Sequence, residues 1–151
     1  LHLILAAFAW LAAAVIGARA AEISIVGTWE VIEASPAPWS VAEDRPALTA
    51  DGKRMLKLII TFAPGSIASR SKLFTCRRVV YEPTQLEHDA LFDGNLPEPN
   101  PAAAAQRLGF AKGDVAGVDV KCINESFTMH FRDRNTALFA HNNVIYTLKR
   151  H

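Results

Sequence analysis

Short runs of residues with alternating polarity recur along this chain and restrict its fold more than any other feature of the sequence. In residues 126–133, Phe127, Met129 and Phe131 are separated by polar side chains, the period-two pattern of a strand with one buried face. Further runs that are alternating or rich in β-branched residues cover 25–34, 56–63, 76–81, 115–122, 136–140 and 144–150. Because the runs are short and follow one another at short intervals, they predict an antiparallel meander.

One segment has the features of a short helix. Pro101 suits a first helical turn, where no backbone N–H is needed, four alanines follow it, and Gly109 is placed to end the helix. We therefore predict a helix over residues 101–108. Residues 35–55 contain three prolines among small and charged residues, which predicts an irregular loop.

The architecture follows from what the strands have to bury. Each strand has one apolar face to hide, and a sheet that closes on itself hides these faces without exposing edge strands. The sequence therefore predicts an all-β fold, a small antiparallel up-and-down barrel with one short helix. A sandwich of two sheets is the alternative.

The first twenty residues have the features of an export signal. Residues 3–16 form an unbroken apolar run, and Ala18-Arg19-Ala20 supplies the small residues that signal peptidase requires. The run is shorter than the roughly 20 residues of a membrane span. We expect a signal peptide over residues 1–20 and a single β-barrel domain over residues 21–151. The protein would be periplasmic or secreted, with no membrane anchor after cleavage.

The charge balance excludes some classes of partner. Arg19 is the only charged residue among the first twenty, and without it fifteen of the 16 Lys and Arg remain against 15 Asp and Glu. A balanced chain offers no electrostatic attraction for nucleic acid or for an anionic membrane. We therefore expect no nucleic-acid partner.

The two cysteines, Cys76 and Cys122, lie in the expected mature domain. In an exported protein an even number of cysteines favours a disulfide. A bond between these two cysteines closes the long loop from residue 76 to residue 122 and stabilises the fold by about 4 kcal/mol. The alternative is a redox or metal-binding pair, but the sequence has no Cys-x-x-Cys motif and no histidine close to either cysteine.

The first strand carries a motif that resembles that of a known family. Gly27-Thr28-Trp29 is similar to the Gly-x-Trp signature that opens lipocalin-like barrels. The resemblance implies that Trp29 lies at the closed end of a barrel, with an arginine near the end of the last strand packed across it. Arg150 shares the apolar face of the last strand with Leu148 and matches that arginine, and a guanidinium over an indole contributes about 0.5–2 kcal/mol.

The chain also resembles a group of small exported bacterial proteins, a likeness that implies no activity. The shared features are a cysteine in each half of the chain and the stretches GTWEV, LFDGNL and TALFAHNNVIYTLKR.

The titratable residues offer few candidates for chemistry. Glu87-His88-Asp89 with Asp93 is the densest cluster, and a hydrated loop explains it as well as a metal or acid–base site does. His130 is expected on the polar face of its strand. His141 opens a His-Asn-Asn turn. Because no catalytic or metal-ligand arrangement stands out, we predict no enzymatic activity, no metal and no cofactor.

Two functions are consistent with this fold. A binding module would hold a small apolar ligand between Trp29, Phe127, Met129, Phe131 and a lid around residues 91–110. A protein-interaction module, such as an inhibitor of an envelope-directed enzyme, would have a filled core and a conspicuous loop, here residues 35–55 with an exposed Trp39. A continuous cavity of roughly a few hundred Å³ would favour the first function, and a solid core with an apolar surface patch would favour the second.

The export motif predicts where the chain is processed. Cleavage after Ala20 should give an exported protein that begins at Ala21, since Ala18 and Ala20 are the small residues that the peptidase accepts. Intact-mass spectrometry of the exported protein checks this expectation, and a mass that includes residues 1–20 would contradict it.

Overall fold

A computed structural model of the protein describes residues 24–123 and 125–151. The predicted signal peptide at residues 1–20 lies outside the described residues. Eight strands and two α-helices are present in this part of the chain, together with short 3₁₀ segments at Ala42–Asp44 and Lys72–Phe74. A kinked stretch with 3₁₀ turns covers His88–Gly94, in which Leu91, Phe92 and Asp93 have non-helical backbone angles. In chain order they are β1 (Gly27–Pro36), α1 (Arg45–Lys53), β2 (Ile59–Ala63), β3 (Ser66–Ser69), β4 (Val80–Leu86), α2 (Pro101–Arg107), β5 (Val115–Lys121), β6 (Ser126–Asp133), β7 (Thr136–His141) and β8 (Val144–Arg150).

All eight strands belong to one antiparallel sheet with the order β3-β2-β1-β8-β7-β6-β5-β4. Every strand neighbours the next strand in sequence except β3 and β4, which form the two edges, and the first strand pairs with the last. The sheet curls so far that the ring of Phe62 on β2 lies 6.4 Å from that of Tyr81 on β4. This confirms the prediction of a small all-β, antiparallel, up-and-down, barrel-like fold.

The sheet does not close by a ladder between β3 and β4. The segment 70–79 lies between them and pairs with β3 through an isolated β-bridge, in which Ile67 and Cys76 exchange backbone hydrogen bonds of 2.8 and 3.0 Å. Tyr81 adds a side-chain link, because its hydroxyl donates to the carbonyl of Ala63 at 3.0 Å. The predicted Cys76–Cys122 disulfide is confirmed, with Cα atoms 6.1 Å apart. It fastens this segment to the end of β5.

The concave side of the sheet contains an inner core of aromatic and aliphatic side chains. The predicted alternation on β6 is confirmed: Met129 and Phe131 are buried, and Phe127 is partly buried. Aromatic rings contact one another across the curl, as Phe131 does with Trp29 at 5.9 Å between centroids. The other buried side chains of the inner core include Val31, Ile60, Phe62, Phe74, Val120, Phe139 and Leu148.

The convex side is covered as well, where β7 and β8 meet. Leu138 and Ile145 point away from the inner core, because successive strand residues face opposite sides. They are buried under residues 88–110, here called the covering segment, which contributes Leu91, Phe92 and other apolar side chains to an outer core. The central strands are therefore buried on both faces.

Three elements differ from those predicted. Helix α1 lies where the sequence predicted a loop, strand β3 was not predicted, and β4 begins at Val80 rather than at residue 76. Pro46 is compatible with α1 because it lies in the first turn, where its missing N–H costs nothing. Gly52 lets α1 approach the sheet closely, since a Cβ there would lie 3.0 Å from the Cβ of Ala34. The helix over 101–108 is confirmed as α2 and is capped by the side chain of Asn100.

The predicted contact between Trp29 and Arg150 is confirmed. The two residues are direct partners across β1 and β8, and the guanidinium carbon lies 4.3 Å from the centroid of the indole. Arg150 Nη1 also donates to the carbonyl of Val26 at 2.7 Å. Gly27 is required at this point, because its φ of +143° is open to few other residues and a Cβ would lie 2.5 Å from Nη1 of Arg150.

Substitution of Gly27 tests this packing. We expect Gly27→Ala to lower the free energy of unfolding by about 2 kcal/mol or more, because the backbone conformation is strained and the guanidinium has to move. Gly65→Ala is the matched control, since Gly65 also has a positive φ (+80°) but nothing lies within 4 Å of an added Cβ. Its loss should be about 1 kcal/mol. Equal losses in urea denaturation would contradict the role of the Arg150 contact.

Candidate functional site

The four residues predicted to bind a ligand do not share one cavity. Trp29, Met129 and Phe131 are buried members of the inner core and pack against other core side chains. The predicted lid around residues 91–110 does not lie over them, because this part of the covering segment packs on the opposite face of the sheet. Phe127 differs, because it is partly buried and lines a cavity at the edge of the inner core.

This cavity, here called the disulfide cavity, has a volume of about 260 Å³. The Cys76–Cys122 disulfide, Leu73 and Phe127 supply its apolar surface. Its other lining residues are Lys72, Thr75, Arg77, Arg78, Ile123 and Glu125. The cavity therefore lies where the sheet fails to close, between the segment 70–79 and the connection from β5 to β6.

Phe127, at the apolar bottom of the disulfide cavity, packs against the inner core. The ring of Phe74, buried in the inner core, meets Phe127 edge-on at 5.6 Å and Phe139 at 5.1 Å. The connection after β5 is tightened by a hydrogen bond of 2.8 Å from the amide of Cys122 to the carbonyl of Glu125. Phe127 is thus fixed by packing on one side and faces the cavity on the other.

The charged residues around the disulfide cavity are mostly basic. Lys72, Arg77 and Arg78 are exposed side chains on its lining, and Glu125 is the one carboxylate among the described lining residues. The strand predicted over residues 76–81 includes Arg77 and Arg78. Because β4 begins only at Val80, Arg77 and Arg78 lie instead in a bend beside the disulfide.

The acidic cluster singled out in the sequence forms part of a different surface. Glu87, His88 and Asp89 line an open groove of about 480 Å³ together with Asp114, whereas Asp93 does not line it. The Nε2 atom of His88 lies 2.9 Å from the carbonyl oxygen of Ala111. Among residues 24–123 and 125–151, no group of three His, Cys, Asp or Glu side chains is arranged to hold a metal ion.

His130 is buried, and the prediction of a surface position is wrong. Only 2% of the residue is exposed, because the covering segment lies over the face of β6 that the sequence marked as polar. The amide of Phe92 donates to His130 Nε2 at 3.2 Å, and the two rings are 4.6 Å apart. His141 is half-exposed at the end of β7, and the predicted turn that follows has positive φ at Asn142 and Asn143.

The environment of His130 keeps its ring neutral. Burial lowers the pKa of His130 from 6.5 to about 4, and the Asp119 carboxylate offsets only part of that effect. Because Nε2 accepts a hydrogen bond, the ring proton is on Nδ1. Within the described part of the chain, Nδ1 and the hydroxyl of Thr84 are both buried without a hydrogen-bond partner. They lie on either side of Gly117 in the register of β4, β5 and β6.

Trp39 does not have the exposed position that the interaction hypothesis required. Its indole N–H donates to Asn143 Oδ1 at 3.0 Å, and its ring lies 5.6 Å from that of Phe92. Half-buried against the outer core, Trp39 holds the start of the 35–55 region against the sheet.

Comparisons of this chain with protein families, with curated proteins and with solved structures found no match. No helix among residues 24–123 and 125–151 is both long enough and apolar enough to cross a membrane.

The buried His130 predicts an acid-sensitive stability. The unfolded chain binds a proton at this ring below pH 6.5, but the folded protein binds it only near pH 4, so stability falls as the pH is lowered through this range. The loss amounts to about 3 kcal/mol at 1.36 kcal/mol per pKa unit. Denaturant unfolding as a function of pH measures it.

Replacing His130 with glutamine shows how much of the acid sensitivity of folding stability is due to the His130 ring and how much to other titratable groups. His130→Gln keeps an acceptor for the Phe92 amide but does not titrate, so we expect a much flatter dependence between pH 7 and pH 4. His141→Gln replaces a half-exposed histidine and is the matched control, which should leave the dependence close to that of the parent protein. If both substitutions had the same effect, His130 would not be the group responsible.

Proposed function

We propose that this protein is an exported, non-enzymatic binding protein that takes the apolar part of a small molecule into the disulfide cavity. The observation that carries the proposal is the cavity itself. It has a volume of about 260 Å³, and Phe127, Leu73 and the disulfide supply apolar surface next to polar groups at its rim. Concave sites with an apolar lining and a few convergent polar groups are typical of small-molecule binding.

The position of the apolar side chains supports a ligand at this cavity rather than in the centre of the barrel. Other core side chains pack closely around Trp29, Met129 and Phe131. A ligand between these three residues would therefore have to displace part of a well-packed core. Phe127 has one face on that core and the other on the disulfide cavity. Of Trp29, Phe127, Met129 and Phe131, we therefore propose Phe127 alone as a ligand contact.

A small ligand is favoured over a protein partner by two features. The cavity is only slightly smaller than the roughly 300 Å³ at which small-molecule pockets begin, and Trp39, the anchor considered for a protein partner, is engaged by Asn143 and Phe92. We propose binding without catalysis because the described lining residues contain no histidine and both cysteines are bonded to each other.

Export is part of the proposal. A disulfide persists in oxidising compartments, which agrees with the export motif at residues 1–20 and supports a periplasmic or secreted location. The contact of Trp29 and Arg150 beside Gly27 supports a structural relationship with lipocalin-like barrels, which we likewise put forward as a proposal.

Titration of the ¹⁵N-labelled protein with 1-octanol, followed by NMR, tests the proposed site. Saturable shift changes are expected to centre on Leu73, Cys122 and Phe127, which line the cavity. Phe127→Leu should weaken octanol binding about fivefold, since roughly 1 kcal/mol of apolar contact is lost.

Phe131→Leu is the matched control for this experiment. It makes the same change on the same face of β6, at a residue that is 4% exposed and belongs to the inner core. It should lower stability but leave the octanol Kd within about twofold. No saturable binding, or equal weakening in both variants, would overturn the proposed function.

A further inference from the structure

We propose that the natural ligand of the disulfide cavity is an amphipathic anion, a small molecule with an apolar chain and an anionic head such as a carboxylate. The inference rests on the proposed function and specifies the class of ligand. Two features of the disulfide cavity support it. One is an apolar floor formed by Leu73, Phe127 and the disulfide, and the other is a basic rim formed by Lys72, Arg77 and Arg78.

The basic rim is a local excess of positive charge. Lys72, Arg77 and Arg78 oppose a single described carboxylate, that of Glu125. The ion pairs formed among residues 24–123 and 125–151 are Arg54–Asp51, Lys121–Glu82 and His151–Glu30, so none of the three rim cations is neutralised by a partner within 4.0 Å in this part of the chain. The predicted mature chain is balanced overall, and the excess is therefore a property of this site and not of the composition.

The arrangement of the two features matches an amphipathic anion. Phe127 and Leu73 are partly buried at the floor, whereas the three cations are exposed at the rim. An apolar chain can leave water at the floor while its charged head stays solvated beside the cations, so no charge has to be buried. Arginine also donates two parallel hydrogen bonds to a carboxylate, which fixes the direction of the head group.

Three probes with the same alkyl chain separate the effect of the head group. Octanoate, 1-octanol and octylammonium are anionic, neutral and cationic at neutral pH. We expect octanoate to bind about tenfold more tightly than octanol, and octylammonium to bind more weakly than either. In about 1 M salt, where the Debye length is about 3 Å, the advantage of octanoate should shrink while octanol binding persists.

Variants of the rim show whether these particular charges are responsible. Arg77→Gln combined with Arg78→Gln should reduce the preference for octanoate over octanol to about threefold or less, and Glu125→Gln should increase it. Arg107→Gln is the matched control, because Arg107 is an exposed arginine on α2 that does not line the disulfide cavity. It should leave the preference at its original value.

The outcomes distinguish this inference from the proposed function. If octanol binds at the disulfide cavity but octanoate binds no more tightly, the ligand is not an anion and only the inference is overturned. If the double arginine variant and Arg107→Gln change the preference equally, the rim charges are not the cause and the inference also fails. If no probe binds with saturation, the proposed function is overturned and the inference with it.

Discussion

The contact between Arg150 and the first strand joins the two ends of the fold. Arg150 lies over the ring of Trp29 and donates to the backbone around Val26, while Gly27 leaves room for the guanidinium. These contacts fix the register of β1 against β8, the one pairing among the described strands that joins strands not consecutive in the chain. Since a shift of one residue would turn every side chain to the opposite face, the inner core depends on this register. The pairing converts two meanders into one curled sheet.

Burial of both faces of the central strands explains why polar residues are found inside the molecule. The covering segment shields Leu138 and Ile145, and His130 is enclosed with them. A histidine can stay in such a place only as a neutral ring, and the Phe92 amide satisfies one of its nitrogens. The same hydrogen bond ties the covering segment to β6. Stability and the position of the covering segment are thereby linked to one titratable side chain.

The proposed site is a consequence of incomplete closure. A ladder between β3 and β4 would have placed regular, alternating side chains at this edge, but the segment 70–79 is joined to β3 by an isolated bridge and to the end of β5 by the disulfide. Irregular backbone at this point lets Lys72, Arg77 and Arg78 gather on one rim above Phe127. The disulfide ties this segment to the end of β5 and supplies part of the apolar surface.

The sequence by itself determined the features that depend on local pattern. Alternation on β6 and β8, the turn residues Asn142 and Asn143 and the helix start at Pro101 are readable because each involves neighbours in the chain. The Trp29–Arg150 contact could also be predicted from the sequence, through the Gly-x-Trp resemblance.

Tertiary structure alone decided which polar residues are buried and which charged side chains lie close together. His130 has the polar neighbours of a surface residue, and only the covering segment, folded back from elsewhere in the chain, removes it from water. The basic rim of Lys72, Arg77 and Arg78 lies next to Phe127 because strand pairing and the disulfide bring together residues some fifty positions apart. Contacts between residues so far apart in sequence leave no local pattern from which they could be predicted.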